Sequence, residues 1–324
     1  MKRLFKLFLT TLFLIGLMFG LGWYFLGPVE NKDLSEMFTV TENQNKGGVI
    51  TKLKEQKLIK NNNALGLLLT LFAKDKQILA GGYSLNKNMN AWQVLQKITD
   101  KPDFLWVTIH GCSRKEEVGE ILARVLGWDQ NKQELWIKTT TETKSEYTEG
   151  VYYPDTYLIP VNESPDLVAK RLINRFNEKI NPLLDKFAAE DIKWTTGVKI
   201  ASLIAREAAG MQDMNLISGI IWNRLNKGML LQIDATMQYT LGKKANGFWW
   251  GTIDLAEKLK GSPYNTYLYK GLPPTSICSP QIAYIEAVLN PEETDCLFYL
   301  HDHNKEIHCA KTYEEHKANI KKYL

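Results

Sequence analysis

The segment KIASLIAREAAG, Lys199 to Gly210, places one carboxylic acid in an otherwise apolar run. Read as a helix, it puts Ile200, Leu203, Ile204 and Glu207 at i, i+3, i+4 and i+7, on one face. Glu207 stands where the pattern calls for another aliphatic side chain. An unpaired buried carboxylate is costly, so such a residue is paired, at the rim of a cleft, or kept protonated for use. A protonated carboxyl in an apolar setting can act as a general acid, for example on a glycosidic oxygen. Ala201, Ala205, Ala208 and Ala209 would leave room beside it for a sugar. The plainer alternative is a helical glutamate paired with Arg206, Arg224 or solvent. Asp234, in LQIDAT, is the obvious second carboxylate. It can serve as a hydrolase base, but an Asp opening a new element more often caps a turn by bonding Thr236 or a backbone amide. Gln232 and Asn265 carry amides suited to N-acetyl or hydroxyl groups, and Tyr264 and Tyr267 offer rings for stacking on sugars. Each also suits a structural loop.

The elements that must hold these groups can be traced along the 324-residue chain, which at 44% hydrophobic can bury a core in more than one domain. The net charge of +4 is dispersed, which gives no case for nucleic acid. Leu7 to Leu26 is an uncharged apolar run of about 20 residues, enough to cross a hydrocarbon core as a helix. Lys2, Arg3 and Lys6 precede it, so the rest of the chain should face away from the cytoplasm. Trp23 and Tyr24 suit a membrane interface, and no A-x-A cleavage site follows, which favours an uncleaved anchor over a signal peptide.

After a polar tether, MFTVT, ILAGGYSL and FLWVTI read as strands. GGVITKLKEQKLI, NALGLLLTLFAK and NAWQVLQKIT read as helices, the last capped by Asn90. SRKEEVGEILARVLGW reads as an amphipathic helix with Ser113 as N-cap. Beyond Gly150, EGVYYPDTYLIP is aromatic and turn-rich, and SPDLVAKRLINRFNEKINPLL is a helix with Pro165 near its start. Gly210 should stop the Glu207 helix, and Asp213 should cap the next one, MNLISGIIWNRLNK. CLFYL and EIHCAKT form a hairpin around HDHNK, followed by a terminal helix. His301, His303, His308 and Cys309 invite a zinc reading, but no ordinary zinc spacing repeats and a hairpin tip is a poor cage. Cys112, Cys278, Cys296 and Cys309 show no C-x-x-C spacing. Export would permit disulfides whose pairing the sequence does not assign; buried free thiols are the alternative.

YPDTY (153–157), REAAG (206–210), NRLNKGMLLQIDAT (223–236), SPYNTY (262–267), GLPPTSICSP (271–280) and a terminal H…EH…YL occur in that order. In this the chain resembles the YceG-like endolytic murein transglycosylases, the MltG family, over nearly its whole length. The resemblance implies an α+β protein with a transmembrane anchor (residues 1–28), a small LysM-like α/β domain (29–109) and a mixed α/β catalytic domain ending in a β-hairpin (110–324). It implies Glu207 as the catalytic acid. The reaction would be transglycosylation, with the C6 hydroxyl of N-acetylmuramic acid attacking its own anomeric carbon. No second carboxylate, cofactor or metal would be needed. His308 matches a histidine of the family's final hairpin, in a packing or site-shaping role. The implied partners are peptidoglycan strands and the synthases that make them, outside the cytoplasmic membrane. Ala205, Asp213, Met214, Ala235 and Thr275 depart from the family's usual pattern. A muramidase using Glu207 and Asp234, and a non-catalytic glycan-binding scaffold, remain as alternatives.

Overall fold

The computed structural model describes residues 2–142 and 144–324; the side chains of Lys2 and Arg3, which carry part of the topology signal, lie outside the described set. It is an α+β protein of two compact units, one formed by residues 1–107 and 157–162, the other by 108–156 and 163–324.

The first unit opens with α1 (Lys2–Leu26), of which Leu9–Leu26 is long and apolar enough to cross a membrane. Then come β1 (Ser35–Val40), α2 (Lys46–Glu55), α3 (Asn62–Phe72), β2 (Gly81–Asn86), α4 (Ala91–Ile98) and β3 (Phe104–Thr108). A strand that the turn-rich YPDTYLIP stretch concealed, β4 (Thr156–Pro160), completes a sheet of order β1-β2-β3-β4. β1 and β2 pair antiparallel from Ser35↔Asn86 to Val40↔Gly81. Phe38, Val40, Tyr83 and Leu85 meet Leu53, Leu65, Val94 and Leu95 in a dry core. The caps are local: Asn45, Asn61 and Asn90 each accept an amide of the first helical turn, and Asn90 and Gln93 exchange bonds as a capping box.

In the second unit, α5 (Lys115–Leu126) is followed by α6 (Gln130–Glu142), α7 (Pro165–Ile180), α8 (Leu184–Ala189), α9 (Trp194–Glu207), α10 (Met214–Asn226) and α11 (Asp234–Leu241). A single turn, α12 (Leu255–Lys258), precedes α13 (Ile282–Leu289), the hairpin β5 (Phe298–His301)–β6 (Ile307–Ala310) and α14 (Tyr313–Tyr323). The expected cap of α5 is corrected by one residue. Arg114 is the N-cap and its amide donates to Glu117, while the Ser113 hydroxyl donates back to the His110 carbonyl. Gly119 of α5 lets Trp136 of α6 approach, since a Cβ there would fall 2.6 Å from the indole. α9 packs against α8, α10, α11 and α13, and Ile200, Ala201, Leu203 and Ile204 are fully buried. The cysteines are paired, Cys112 with Cys278 and Cys296 with Cys309. The first pair adjoins a backbone bridge between Ser113 and Ser279, and the second ties β6 of the hairpin to the irregular segment that leads into β5. Free thiols are therefore the wrong alternative.

Candidate active site

Glu207 is the last residue of α9. The apolar face that the periodicity marks does run through Ile200, Leu203 and Ile204, and Glu207 ends it, partly exposed. Ala208 leaves the helix in an extended conformation (φ −67°, ψ 135°), so the chain turns immediately after the acid, earlier than Gly210 suggests. Asp213 holds that turn. It occupies the N-cap position of α10, as expected, but its side chain makes no cap bond there; it reaches back to accept the amides of Ala209 (2.9 Å) and Gly210 (3.2 Å). The same carboxylate lies 2.6 Å from His301 Nε2.

The hairpin supplies the direct partner of the acid. The Tyr299 hydroxyl donates to Glu207 Oε2 at 2.6 Å. Tyr299 and His301 are two residues apart on β5 and so share one face, which is the face turned to α9 and its exit loop. His308 pairs with Leu300 in the ladder and therefore lies on the opposite face, where it stacks on Tyr323 (3.6 Å between ring centres) and meets Asp302 at 3.1 Å. The geometry thus gives His308 a packing task within the hairpin. Asp302, Glu306 and His308 are, among the described residues, the one grouping with metal-ligand chemistry, their donor atoms lying within 4.8 Å of one another. Asp302 already accepts the Asn304 and Glu306 amides, and Cys309 of the suspected zinc set is in a disulfide.

Burial raises the Glu207 carboxyl above the usual carboxylate range, and nearby Asp234 adds to this. The Tyr299 hydrogen bond and the His301 and Arg206 charges act the other way. A helix C-terminus is also the negative end of the macrodipole, a poor place for an anion. The Tyr299 phenol is itself pushed well up by burial and by the Glu207 charge, so it stays a donor. The arginines suggested as ion-pair partners are engaged elsewhere. Arg224 donates to the carbonyls of Leu297 (2.5 Å) and Leu231 (2.7 Å), and Arg206 stacks 4.1 Å from the Trp250 ring.

Asp234 opens α11 but bonds neither Thr236 nor a backbone amide, contrary to the cap expectation; Thr236 bonds Ile233 instead. Asp234 accepts from Lys258 (2.9 Å) and from the Tyr267 hydroxyl. Lys258 also lies over the Tyr267 ring, making a small polar cluster. Gln232 precedes it with φ +54°, its amide bonded to the Thr266 carbonyl, and its side chain is exposed. Asn265 is fully buried, with its amide donating to the carbonyls of Lys258 and Lys260 and its oxygen accepting from Tyr267. That makes it the brace of the 258–267 loop. Tyr264 packs on Tyr239 and shares a 2.7 Å hydrogen bond with Thr275, one of the positions that departs from the family's pattern.

A second carboxyl escaped the sequence reading. Glu149 is only 4% exposed, although with Val198, Lys199 and Ser276 it borders a depression of about 310 Å³. It accepts from the Lys115 and Gly150 amides and from the Tyr239 hydroxyl (3.0 Å). Burial pushes it up to about 8. Gly150, at φ +86°, is required next to it, because a Cβ would lie 2.6 Å from Ser276. The sequence likewise does not mark Tyr299 as a site residue, marks Asp213 only as a cap, and offers His301 only as a zinc candidate, whereas it lies on Asp213. The sequence signal that links Tyr299 and His301 is their alternation in a hairpin strand, which does not say what the strand faces.

The chain's similarities agree with this architecture. The YceG-like family matches residues 38–322. An endolytic murein transglycosylase of Bacillus subtilis (strain 168) is 27% identical, over 96% of this chain and 91% of that protein. One from Streptococcus pneumoniae serotype 2 is 24% identical over 88% of this chain, which spans 58% of the pneumococcal protein. The crystal structure of a yceG-like protein from Listeria monocytogenes superposes with a TM-score of 0.61 at 22% identity, covering 89% of this chain and 99% of the other. With 38–322 matched, an acid ending the central helix and the hairpin closing over it, the chain belongs to the YceG-like family.

Proposed function

We propose that the protein is an endolytic peptidoglycan lytic transglycosylase, cutting the β-1,4 bond between N-acetylmuramic acid and N-acetylglucosamine within nascent strands. Residues 1–28 anchor it in the cytoplasmic membrane with the remainder outside, 29–109 form a LysM-like glycan-binding domain, and 110–324 carry the chemistry. Peptidoglycan synthases at the membrane are the natural partners of such an enzyme. The observation that supports this reading best is Glu207: partly exposed, raised by burial, and held by one hydroxyl donor rather than a cation. Its proton passes to the glycosidic oxygen as the bond to the muramic anomeric carbon breaks. The C6 hydroxyl of the same sugar closes onto that carbon and gives its proton to the Glu207 carboxylate, which restores the acid and leaves a 1,6-anhydro end. Tyr299 orients the carboxyl in both states and donates more strongly to the ionised one.

A water-using muramidase would need Asp234 as base or nucleophile. Its pairing with Lys258 and Tyr267 supports a positioning task instead. Digestion of purified sacculi tests the matter through product masses. Anhydro ends are expected; reducing ends would mean hydrolysis, and an absence of products would leave a glycan-binding scaffold. Asp234→Asn should reduce, not abolish, anhydro products.

A further inference from the structure

α3 carries large apolar side chains on its solvent side as well as on its core side. Leu65 and Leu69 enter the core of the first unit, while Leu67, Leu71 and Phe72 are 59%, 63% and 60% exposed. A helix apolar all round is normally buried in protein or lipid. At 11 residues it is about 16 Å long, too short to span a bilayer of roughly 30 Å. α1 contacts α3, and an apolar gap of about 420 Å³ between the end of α1 and α4 is lined by Met18, Trp23, Leu26 and Trp92. Phe72 meets Trp92 edge-on at 5.1 Å, which carries the exposed apolar patch onto the start of α4. On another side of the α1 end, Tyr24 and Phe25 share a 520 Å³ depression with Lys54, Lys57 and Lys60. Residues 46–76 hold seven lysines against Glu55 and Asp75. Aromatics at the end of a spanning helix, a helix beside it with an uncovered apolar face and a lysine rim match an interfacial membrane contact.

We infer that the first unit docks on the outer leaflet through Leu67, Leu71, Phe72 and Trp92, with lysines such as Lys57 and Lys60 meeting anionic phospholipid headgroups. The inference rests on α1 being a retained anchor. α3 then lies in the interface as a second, reversible contact, and the unit is held against the bilayer instead of swinging on a tether.

The full chain, reconstituted in nanodiscs of equimolar phosphatidylcholine and phosphatidylglycerol, provides the test. All four native cysteines are paired, so Thr70→Cys adds a single thiol on the exposed side of α3 for an environment-sensitive fluorophore. Its emission should shift to the blue and be quenched by lipids brominated near the headgroup, while the same label at Lys321→Cys stays water-like. Adding Leu67→Glu and Phe72→Glu should abolish the quenching without releasing the chain from the discs. Replacing phosphatidylglycerol by phosphatidylcholine should weaken it. Water-like emission from position 70 in chain that remains disc-bound would overturn the inference and leave the anchor standing. Chain that does not enter discs at all would end the anchor reading and this inference together.

Discussion

Two carboxyls in the second unit are raised by burial, and their surroundings differ in kind. Glu149 is sealed: two backbone amides and a tyrosine hydroxyl converge on it, and it ties the start of α5 to Tyr239 on α11. Glu207 ends a buried helix face but keeps solvent contact, and a single hydroxyl holds it. The contrast teaches that a raised pKa does not identify an acid catalyst by itself. Access and spare hydrogen-bonding capacity do, because the proton has to reach a substrate atom. Glu149 braces the helix that carries Asp234, whereas Glu207 keeps the access and spare bonding capacity that its proposed role requires.

The strongest way to break this comparison is Glu207→Gln. Sacculus cleavage should fall by about 10²–10⁴-fold, the usual worth of general acid–base catalysis. The melting temperature should hold or rise slightly, since an awkward carboxyl becomes permanently neutral. Full activity in folded Glu207→Gln protein would end the assignment. Glu149→Ala should do the reverse. It strands the Tyr239 hydroxyl and the amides of Lys115 and Gly150, at about 1–3 kcal/mol for each donor left unsatisfied. Thermal unfolding should shift down strongly while activity per folded molecule survives; a folded, inactive Glu149→Ala protein would move Glu149 into the chemistry.

Tyr299→Phe sharpens the Glu207 side. Losing the hydroxyl removes a bond that favours the ionised carboxylate, so the acid's pKa rises and the alkaline limb of the rate profile should move to higher pH. Loss of orientation should cost roughly tenfold in kcat, equivalent to about 1.4 kcal/mol. A lower melting temperature with an unmoved pH profile would reduce Tyr299 to a packing residue. The smallest effect on activity is expected from Glu149→Gln, whose readout is the pH dependence of stability. The folded carboxyl is raised from 4.5 to about 8, so between those values the unfolded chain ionises while the folded one does not. The stability it contributes is complete below the unfolded pKa and is lost as pH climbs through the folded one. The variant should therefore gain on the parent in melting temperature from about pH 4.5 to about 8 and keep a constant offset outside that window. A gap independent of pH would mean that Glu149 does not titrate there.

Short-range physics made much of this protein legible in advance. The apolar run of α1, the Asn90 capping box, Pro165 at the start of α7, the hairpin turn around HDHNK and the buried face ending in Glu207 all follow from spacing and local bonds within a few residues. Chained motifs added the family. Where local rules failed, a distant partner had competed for the same group. Asp213 has the makings of an N-cap, but the amides of the turn after Glu207 and His301, 88 residues on, claim its oxygens. Asp234 looks like a turn cap, yet Lys258 and Tyr267 take it. β4 reads as turns because its pairing partner is β3, some fifty residues earlier. The sequence by itself determined that Glu207 ends an apolar helical face inside a chain of family motifs, because helical periodicity and motif order are properties of the chain. Only the tertiary structure decided that Tyr299 meets it, that His308 faces away, which cysteines pair and that Glu149 is sealed. Those outcomes depend on surfaces that meet across 90 residues or more for Tyr299, Glu149 and the Cys112–Cys278 pair, and on the register and facing of the hairpin strands for His308 and Cys296–Cys309, and no local spacing records either.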